Sequence, residues 1–560
     1  MKRALFVAVG FCLLLLTKNA LAVYALPSDR RIAWSTGLDP EGGIPNYTPV
    51  ACSSAVGDGT TEAGASIQSC INSASPGTAV YLREGTFKVS RTLSMKTGIS
   101  LRGAGPTQTR IKLYSGARIS FSGGSKTNWG APIGITSGYT KGSTSLVLAT
   151  VSGLKVGDWV SISRKYADTS IGMTAGGCKW CGDDSGTGSY LMQQYAKITA
   201  ISGNTITINR PMYYDFTLTS GLQPEVRKQP FNISKAGLED LQVELTTTTG
   251  YMVYGMMARH CWLKNIESYN SGARSGDAHV RLEFSHGWEI RDSYFHHGHG
   301  YGSGQSYGLL MIFWNSDHKI ENNIYYSIRH VAFEGGGSGC AVLYNYFDAN
   351  RESEDYTFLN ADLNPNHGAH PHMNLMEGNS SAKITWDRTW GSSSHSTAFR
   401  NHARGDRSAP PYEWGIWAID VQGNNRYMNI VGNVFGMSGW STGTVLSNGS
   451  CPSGGTKTAL RFGCSGQPGS YADAASYSTA IVHGNYDYIT DGVASWADPD
   501  HALPDSLYYS SVPSWWGTET PWPAIGPDIA GIVADIPAKR RFNGMSGLKT
   551  PPPPGDVTVR

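Results

Sequence analysis

Apolar residues in this chain come in short runs closed by glycine, asparagine or serine, and long amphipathic helical stretches are hard to find. Such runs, bounded by turn residues, predict β-strands. The clearest set lies between about 235 and 490, where WLKNIES, EIRDSYF, KIENNIYY, AVLYNYF and NIVGNVF share one pattern. Each has an apolar residue, a polar or small position, Asn or Ser, then an apolar or aromatic residue. Aligning Asn265, Ser293, Asn323 and Asn345 gives steps of 28, 30 and 22 residues, with later members near Asn379, Asn433 and Asn485. One coil of short strands and loops fits each step. Asn suits a fixed turn, because it tolerates a left-handed backbone and its amide can hydrogen-bond along a stack.

The flanks read differently. Over residues 50–113, Ile67, Cys70 and Ile71 mark one face of a short helix, Val80-Tyr81-Leu82 a strand, Gly85-Thr86 a turn, and Ile99 to Leu101 another strand. About 142–216 reads as a small antiparallel β insertion, with Gly203-Asn204 as a tight hairpin turn and the Cys178 loop between its strands. From 491 to 545 the chain is rich in Pro, Trp and Tyr, which predicts either a sugar-stacking surface or a tail that caps the last coils. Residues 546–560 predict a flexible Pro-rich end.

The first flank resembles the N-terminal portion of the pectate-lyase superfamily of right-handed parallel β-helix proteins. The residues that carry this are Gly57-Asp58-Gly59, Ile67-Gln68, Val80-Tyr81-Leu82, Gly85-Thr86-Phe87 and Leu101-Arg102-Gly103-Ala104-Gly105. The resemblance implies an all-β solenoid over 23–490, in which a short helix caps the first coil. It implies no residue-by-residue active site: the arginine-centred signatures of the lyases and the paired-aspartate signatures of the polygalacturonases are not recognisable.

Composition supports a β-rich, turn-rich chain, with 68 Gly, 29 Tyr, 16 Trp and only 16% charged residues. Lys2 and Arg3, the apolar run Ala4 to Leu16 and Ala20-Leu21-Ala22 read as a signal peptide over 1–22. Its removal would take three of the 45 basic residues and none of the 43 acidic ones, leaving a net charge of about −1. That argues against nucleic acid as partner, and no nucleotide-binding loop or membrane-spanning run appears. The expected location is secreted, periplasmic or cell-surface. Eight cysteines remain, which predicts disulfides in an exported chain, with Cys52/Cys70 and Cys451/Cys464 as local staples. Cys178-Lys-Trp-Cys181 reads as a small staple ahead of a redox or zinc pair. Cys261 and Cys340 would lie three coils apart, roughly 14 Å by the strand spacing, too far for a bond that needs about 7 Å.

Polar density peaks at 277–406, where eleven of the fifteen histidines fall between His286 and His402. The stretch HGAHPHMNLMEGN, 367–379, leaves three readings open: a metal pair at His370 and His372, an acid–base or sugar-binding site, or polar residues on an exposed rung. In a strand His370, His372 and Asn374 would share one face, with Met373 and Leu375 inward. In 327–347, Val331 and Phe333 alternate with Ala332 and Glu334; in 384–401, Ile384 and Trp386 alternate with Asp387. Cleavage of a polysaccharide is the expected function, by a lyase acting on a uronate polymer or by a glycoside hydrolase. The candidate catalytic residues are Arg329, His330, Glu334, His372, Glu377, Asp387 and Arg400. Trp314, His370, Trp386, Trp390 and His402 are candidates for holding sugar. Glu352, Glu354 and Asp355 are candidate oxygen ligands for calcium. The rival reading is a non-catalytic glycan-binding or adhesin-like surface protein.

Overall fold

The computed structural model describes residues 24–125, 129–164, 172, 178, 181–182, 190–216, 223–351, 357–407, 412–466, 469–496 and 501–545. The signal-like segment 1–22, the calcium candidates Glu352, Glu354 and Asp355, and the Pro-rich end 546–560 lie outside the described residues.

The chain winds as a right-handed parallel β-helix whose strands stack in three rows. Two rows, joined by a tight turn, form a 23-stranded sheet, and the third forms a 13-stranded sheet. In the first row Trp262, Glu289, Lys319, Ala341, Leu375 and Thr397 lie in register on successive coils. The next position on each coil (Leu263, Ile290, Ile320, Val342, Met376 and Ala398) points into one continuous apolar core. Period-two alternation thus buries one side of every row and leaves the other for polar residues.

The tight turn explains the repeat in the sequence. Its first residue has a left-handed backbone, as at Asn265, Asp292, Asn322, Tyr344 and Gly378. The second forms a ladder. The backbone N–H and Nδ2 of Asn323 both donate to Oδ1 of Asn345, at 2.9 and 3.0 Å. The same two bonds recur from Asn345 to Asn379, Asn379 to Asn401, Asn401 to Asn433 and Asn433 to Asn485. Each amide thereby satisfies a backbone N–H that a buried turn would otherwise strand. The sequence alignment needs two corrections. Asn265 belongs to the left-handed position, where its amide donates to Asp240 at 2.7 Å. Asn401 is a full rung.

Cys261 and Cys340 precede positions three coils apart, and both are buried and unbonded. Disulfides join Cys52 to Cys70, Cys178 to Cys181 and Cys451 to Cys464. The first fastens the helix Gly64–Ser73, the N-terminal cap, to the segment before it.

The insertion is a closed six-stranded antiparallel barrel reaching from Ile133–Ser137 to Glu225–Lys228, which pair to close it. Gly203 and Asn204 turn between its strands Met192–Ser202 and Thr205–Ile208. The barrel sits over the turn that leaves the third row. There Arg210 pairs with Asp317 at 2.9 Å and Gln193 donates to the Asn315 carbonyl at 2.5 Å.

The two ends of the chain cover the outer side of the first row. Trp34 donates its indole N–H to the Met373 carbonyl at 2.8 Å, and Leu26, Trp516, Ile525 and Phe542 pack with Leu343, Leu375 and Phe399. The aromatic tail therefore lies along the flank of the coils. Among the described residues, no helix is long and apolar enough to cross a membrane.

Candidate functional site: the groove on the third row

The third row alternates as the other rows do. Val331 and Phe333, then Ile384 and Trp386, enter the core, so Ala332 and Glu334, then Asp387, lie on the outer side. Here no described residue of either end of the chain lines the outer side of the sheet. A groove of about 680 Å³ runs over it, with Tyr307, Arg329, His330, Glu334, Asn364, His367, Asp387 and Trp390 among its lining residues. Trp390 packs against the barrel core and forms one wall. Phe358 and Asn360, from the loop before the strand Leu363–Asn366, form part of the other.

At the floor, Asp387 is held by three donors. His367 Nδ1 lies 2.6 Å from Oδ2, Asn364 Nδ2 donates to the same oxygen at 2.7 Å, and the Thr389 N–H donates to Oδ1 at 2.9 Å. Burial works against a charged His367, but Asp387 and then Glu334 outweigh it and push the imidazole up to about 9. Burial also opposes a charged Asp387, yet His367 with Asn364 and the Thr389 N–H holds it below the usual carboxylate range. Glu334 goes the other way. Burial raises it, the Asp387 charge adds to that, and His367 and Arg281 offset only part. Its carboxyl group has no hydrogen-bond partner among the described residues. Two carboxyl groups in one groove are thus pushed apart, one toward the protonated and one toward the ionised form. Their strands are two coils apart, roughly 10 Å by the strand spacing.

Of the residues expected from sequence, Arg329, His330, Glu334, Asp387 and Trp390 line this groove. The others do not. Glu377 faces the tail, where the hydroxyls of Tyr344 and Ser506 and the Leu507 N–H at 2.9 Å donate to it. Arg400 makes a two-pronged pair with Asp528, both bonds 2.7 Å, and donates to the Pro504 carbonyl at 2.9 Å. Both side chains are fastened on the covered flank. His370 is buried beneath the barrel between the hydroxyls of Ser392, at 3.2 Å, and Ser394, at 3.0 Å. His372 is buried beside it, its Nδ1 3.3 Å from the His370 carbonyl oxygen. Desolvation drives His370 well below the usual imidazole range and His372 down to about 4. These two histidines are buried and so are not an exposed rung; among the described residues no group of three or more His, Cys, Asp and Glu side chains comes together there. Trp314 is buried with its N–H on the Tyr190 carbonyl at 2.8 Å and its ring stacked on Trp129. Trp386 is a core residue. His402 is buried with Nε2 2.9 Å from the Gly436 carbonyl. None of the three can present a face to sugar.

The stretch HGAHPHMNLMEGN changes surroundings several times in thirteen residues. His367 is in the groove, His370 and His372 are under the barrel, Met376 is in the core, and Leu375 and Glu377 face the tail. The inward residue is Met376 and not Leu375, because Met373 takes a positive φ and resets the alternation. Sequence reasoning missed Asn364 and the part played by His367. The available signal was a second set of runs, VRLEFS, VAFE, ITWD and WAIDV, with polar residues at alternate positions of the third row.

Residues 48–176 match the family model described as rhamnogalacturonase A/epimerase, pectate lyase-like. The chain has the pectate-lyase-like fold. No curated protein matches it. Among solved structures, the tailspike gp49 of Pseudomonas phage LKA1 is similar at 16% identity and a TM-score of 0.46, over 69% of this chain and 64% of the tailspike, a little under two thirds of its length. The tailspike gp61 of Pseudomonas phage phi297 is similar at 12% identity and a TM-score of 0.41, over 74% and 72% of the two chains. The tailspike gp54 of Acinetobacter baumannii bacteriophage AP22, solved with a capsular saccharide, is similar at 13% identity and a TM-score of 0.39, over 74% and 69%.

Proposed function

We propose that this is an exported carbohydrate-active protein that cleaves a polysaccharide lying along the groove, by hydrolysis. Glu334 acts as the general acid and Asp387 as the base that activates water. The observation that carries this is the opposite displacement of the two groups in one groove: Glu334 raised, Asp387 lowered. A separation of two coils leaves room for a water between carboxyl and sugar, the arrangement of an inverting hydrolase. His367 keeps Asp387 ionised and oriented. Trp390 offers a ring face at the wall. Three disulfides and the signal-like start support export.

A lyase acting on a uronate polymer fits less well. Its base would be Arg329 or His330; Arg329 donates to the Gly302 carbonyl at 3.2 Å, and burial holds His330 far below the usual imidazole range. One observation favours glycan binding without cleavage, as in an adhesin: three donors already engage Asp387 and weaken it as a base.

The test is a panel of acidic and neutral polysaccharides, with and without calcium, read for reducing ends and for the ultraviolet absorbance of unsaturated uronate. Reducing ends alone, lost in Glu334→Gln and Asp387→Asn, are expected. Absorbance rising with them would replace the hydrolase by a lyase. Binding with no product would leave the adhesin-like reading.

A further inference from the structure

The barrel brings its C-x-x-C pair to the back of the groove. Each of the groove residues Glu334, His367 and Trp390 is followed directly by a glycine: Gly335, Gly368 and Gly391. The three stand on successive coils, where the chain leaves the third row. The Cys178–Cys181 disulfide is seated against this backbone. The Gly182 N–H donates to the Gly335 carbonyl at 2.9 Å, and the Ala369 N–H donates to Cys181 Sγ at 3.2 Å. The same sulfur lies 3.8 Å from the Trp390 carbonyl oxygen. A Cβ at Gly368 would come within 2.8 Å of that sulfur and 2.6 Å of the Gly335 nitrogen, closer than any side chain tolerates. Gly335 has a φ of +95°, and a Cβ there would lie 3.3 Å from Cys181 Cα. The two glycines thus form a furrow in which the disulfide lies.

His367 is also tied to the coil before it, through its N–H on the Phe333 carbonyl at 2.9 Å. Residues 333–335 and 367–369 therefore form one unit. Its front carries Glu334 and His367, and its back rests on the disulfide. Both sulfurs are buried in the barrel core, and neither cysteine lines the groove. The position of this bond matters more than its contribution to stability. Its cysteines are 3 residues apart, against 18 for Cys52 and Cys70, and the entropy removed by closing a loop grows with loop length.

We propose that the Cys178–Cys181 disulfide is a positioning element of the groove: it fixes the backbone behind Glu334 and His367, and so sets the aim of the acid and of the imidazole that holds Asp387. This rests on the reading of the groove as a polysaccharide-cleaving site. The disulfide touches no substrate and acts through those two side chains. Reacting groups must be held within about 0.5 Å of the productive geometry, so a small shift of this backbone is enough to slow turnover while leaving the polymer bound.

The experiment compares the full chain with two variants, Cys178→Ala/Cys181→Ala and, at the distant N-terminal cap, Cys52→Ala/Cys70→Ala. Reducing ends released from the polymer identified by the panel give kcat and KM. The titration of His367 is followed by its imidazole proton resonances, assigned with His367→Gln. Removing Cys178 and Cys181 should lower kcat about tenfold with KM within about twofold. It should also lower the His367 midpoint by about one pH unit, because the contact with Asp387 loosens. The cap variant should lose more in melting temperature and keep both kcat and the midpoint. Gly368→Ala keeps the bond but pushes it out of the furrow, and should repeat both changes if the double variant does not fold by near-ultraviolet circular dichroism. An unchanged kcat, an unmoved midpoint, or losses matched by the cap variant overturn the positioning role and leave the groove reading intact. If the parent protein cuts no polymer, the groove reading fails, and the His367 midpoint alone decides whether the disulfide sets this backbone.

Discussion

The outer sides of the first and third rows carry the same kinds of side chain, yet only one of them is open. On the first row Lys319, Glu321, Glu377 and Arg400 point away from the core, as Glu334 and Asp387 do on the third. The termini complete the first set. Asp39 pairs with Lys319 at 3.1 Å, the Tyr509 hydroxyl donates to Glu321, and Asp528 takes Arg400. Among the described residues no segment of the termini completes the third row, and Glu334 keeps a carboxyl group without a hydrogen-bond partner in a groove wide enough for a ligand. A cluster of charged groups becomes a candidate site when the protein leaves part of its hydrogen bonding unmade, and a structural clamp when its own chain makes it.

Exchanging single groups on the two rows tests this contrast. The largest effect is expected from Glu334→Gln, which should cut turnover of whichever polymer the panel identifies by about 10²–10⁴ with little change in thermal stability. Glu377→Gln on the covered row should leave turnover within a few-fold. Equal losses in both would end the distinction between the two faces.

Arg400→Ala should do the reverse. It leaves the Pro504 and Ile525 carbonyls without their donor and takes a positive charge from beside Glu377, so unfolding free energy should fall by about 2 kcal/mol in denaturant titration, while groove binding is retained.

A smaller effect is expected from pH. Folding raises His367 from 6.5 to about 9. Its contribution to stability is therefore fully present below 6.5 and lost as pH rises from 6.5 through 9. Over that window, the native protein should lose stability relative to His367→Gln. If the two follow parallel curves, the Asp387–His367 pair is not formed.

The smallest effect should come from Trp390→Ala, which removes one ring face from a wall that keeps its other members. A loss of groove affinity of about fivefold, near 1 kcal/mol, is expected by titration. No change would place the sugar-stacking face on the Phe358 wall instead.

Much of the architecture was legible before the fold was known. The recurring Asn runs announced coils, because an amide that bonds both to the next coil and to its own turn leaves a periodic mark. The spacing of Cys261 and Cys340 excluded a bond between them by strand geometry alone. The alternation in VAFE and ITWD set Glu334 opposite Phe333 and Asp387 opposite Trp386, but left open which of the two sides faces outward. The same rule failed across HGAHPHMNLMEGN, since positive φ at Met373 shifts the phase and a barrel inserted far upstream in sequence lands on top of His370.

The sequence by itself determined the β-helix, its capped start, its internal ladder and which residues of each regular strand share a side. These follow from nearest-neighbour physics: side-chain period, turn preference and the spacing between adjacent strands. Only the tertiary structure decided which outward row stays open. That depends on where the two ends of the chain and the barrel come to rest, through contacts such as Trp34 with Met373 and Arg400 with Asp528 that join residues 339 and 128 positions apart. No local pattern encodes such contacts, and they separate the carboxyl groups that stabilise the fold from those left to meet a ligand.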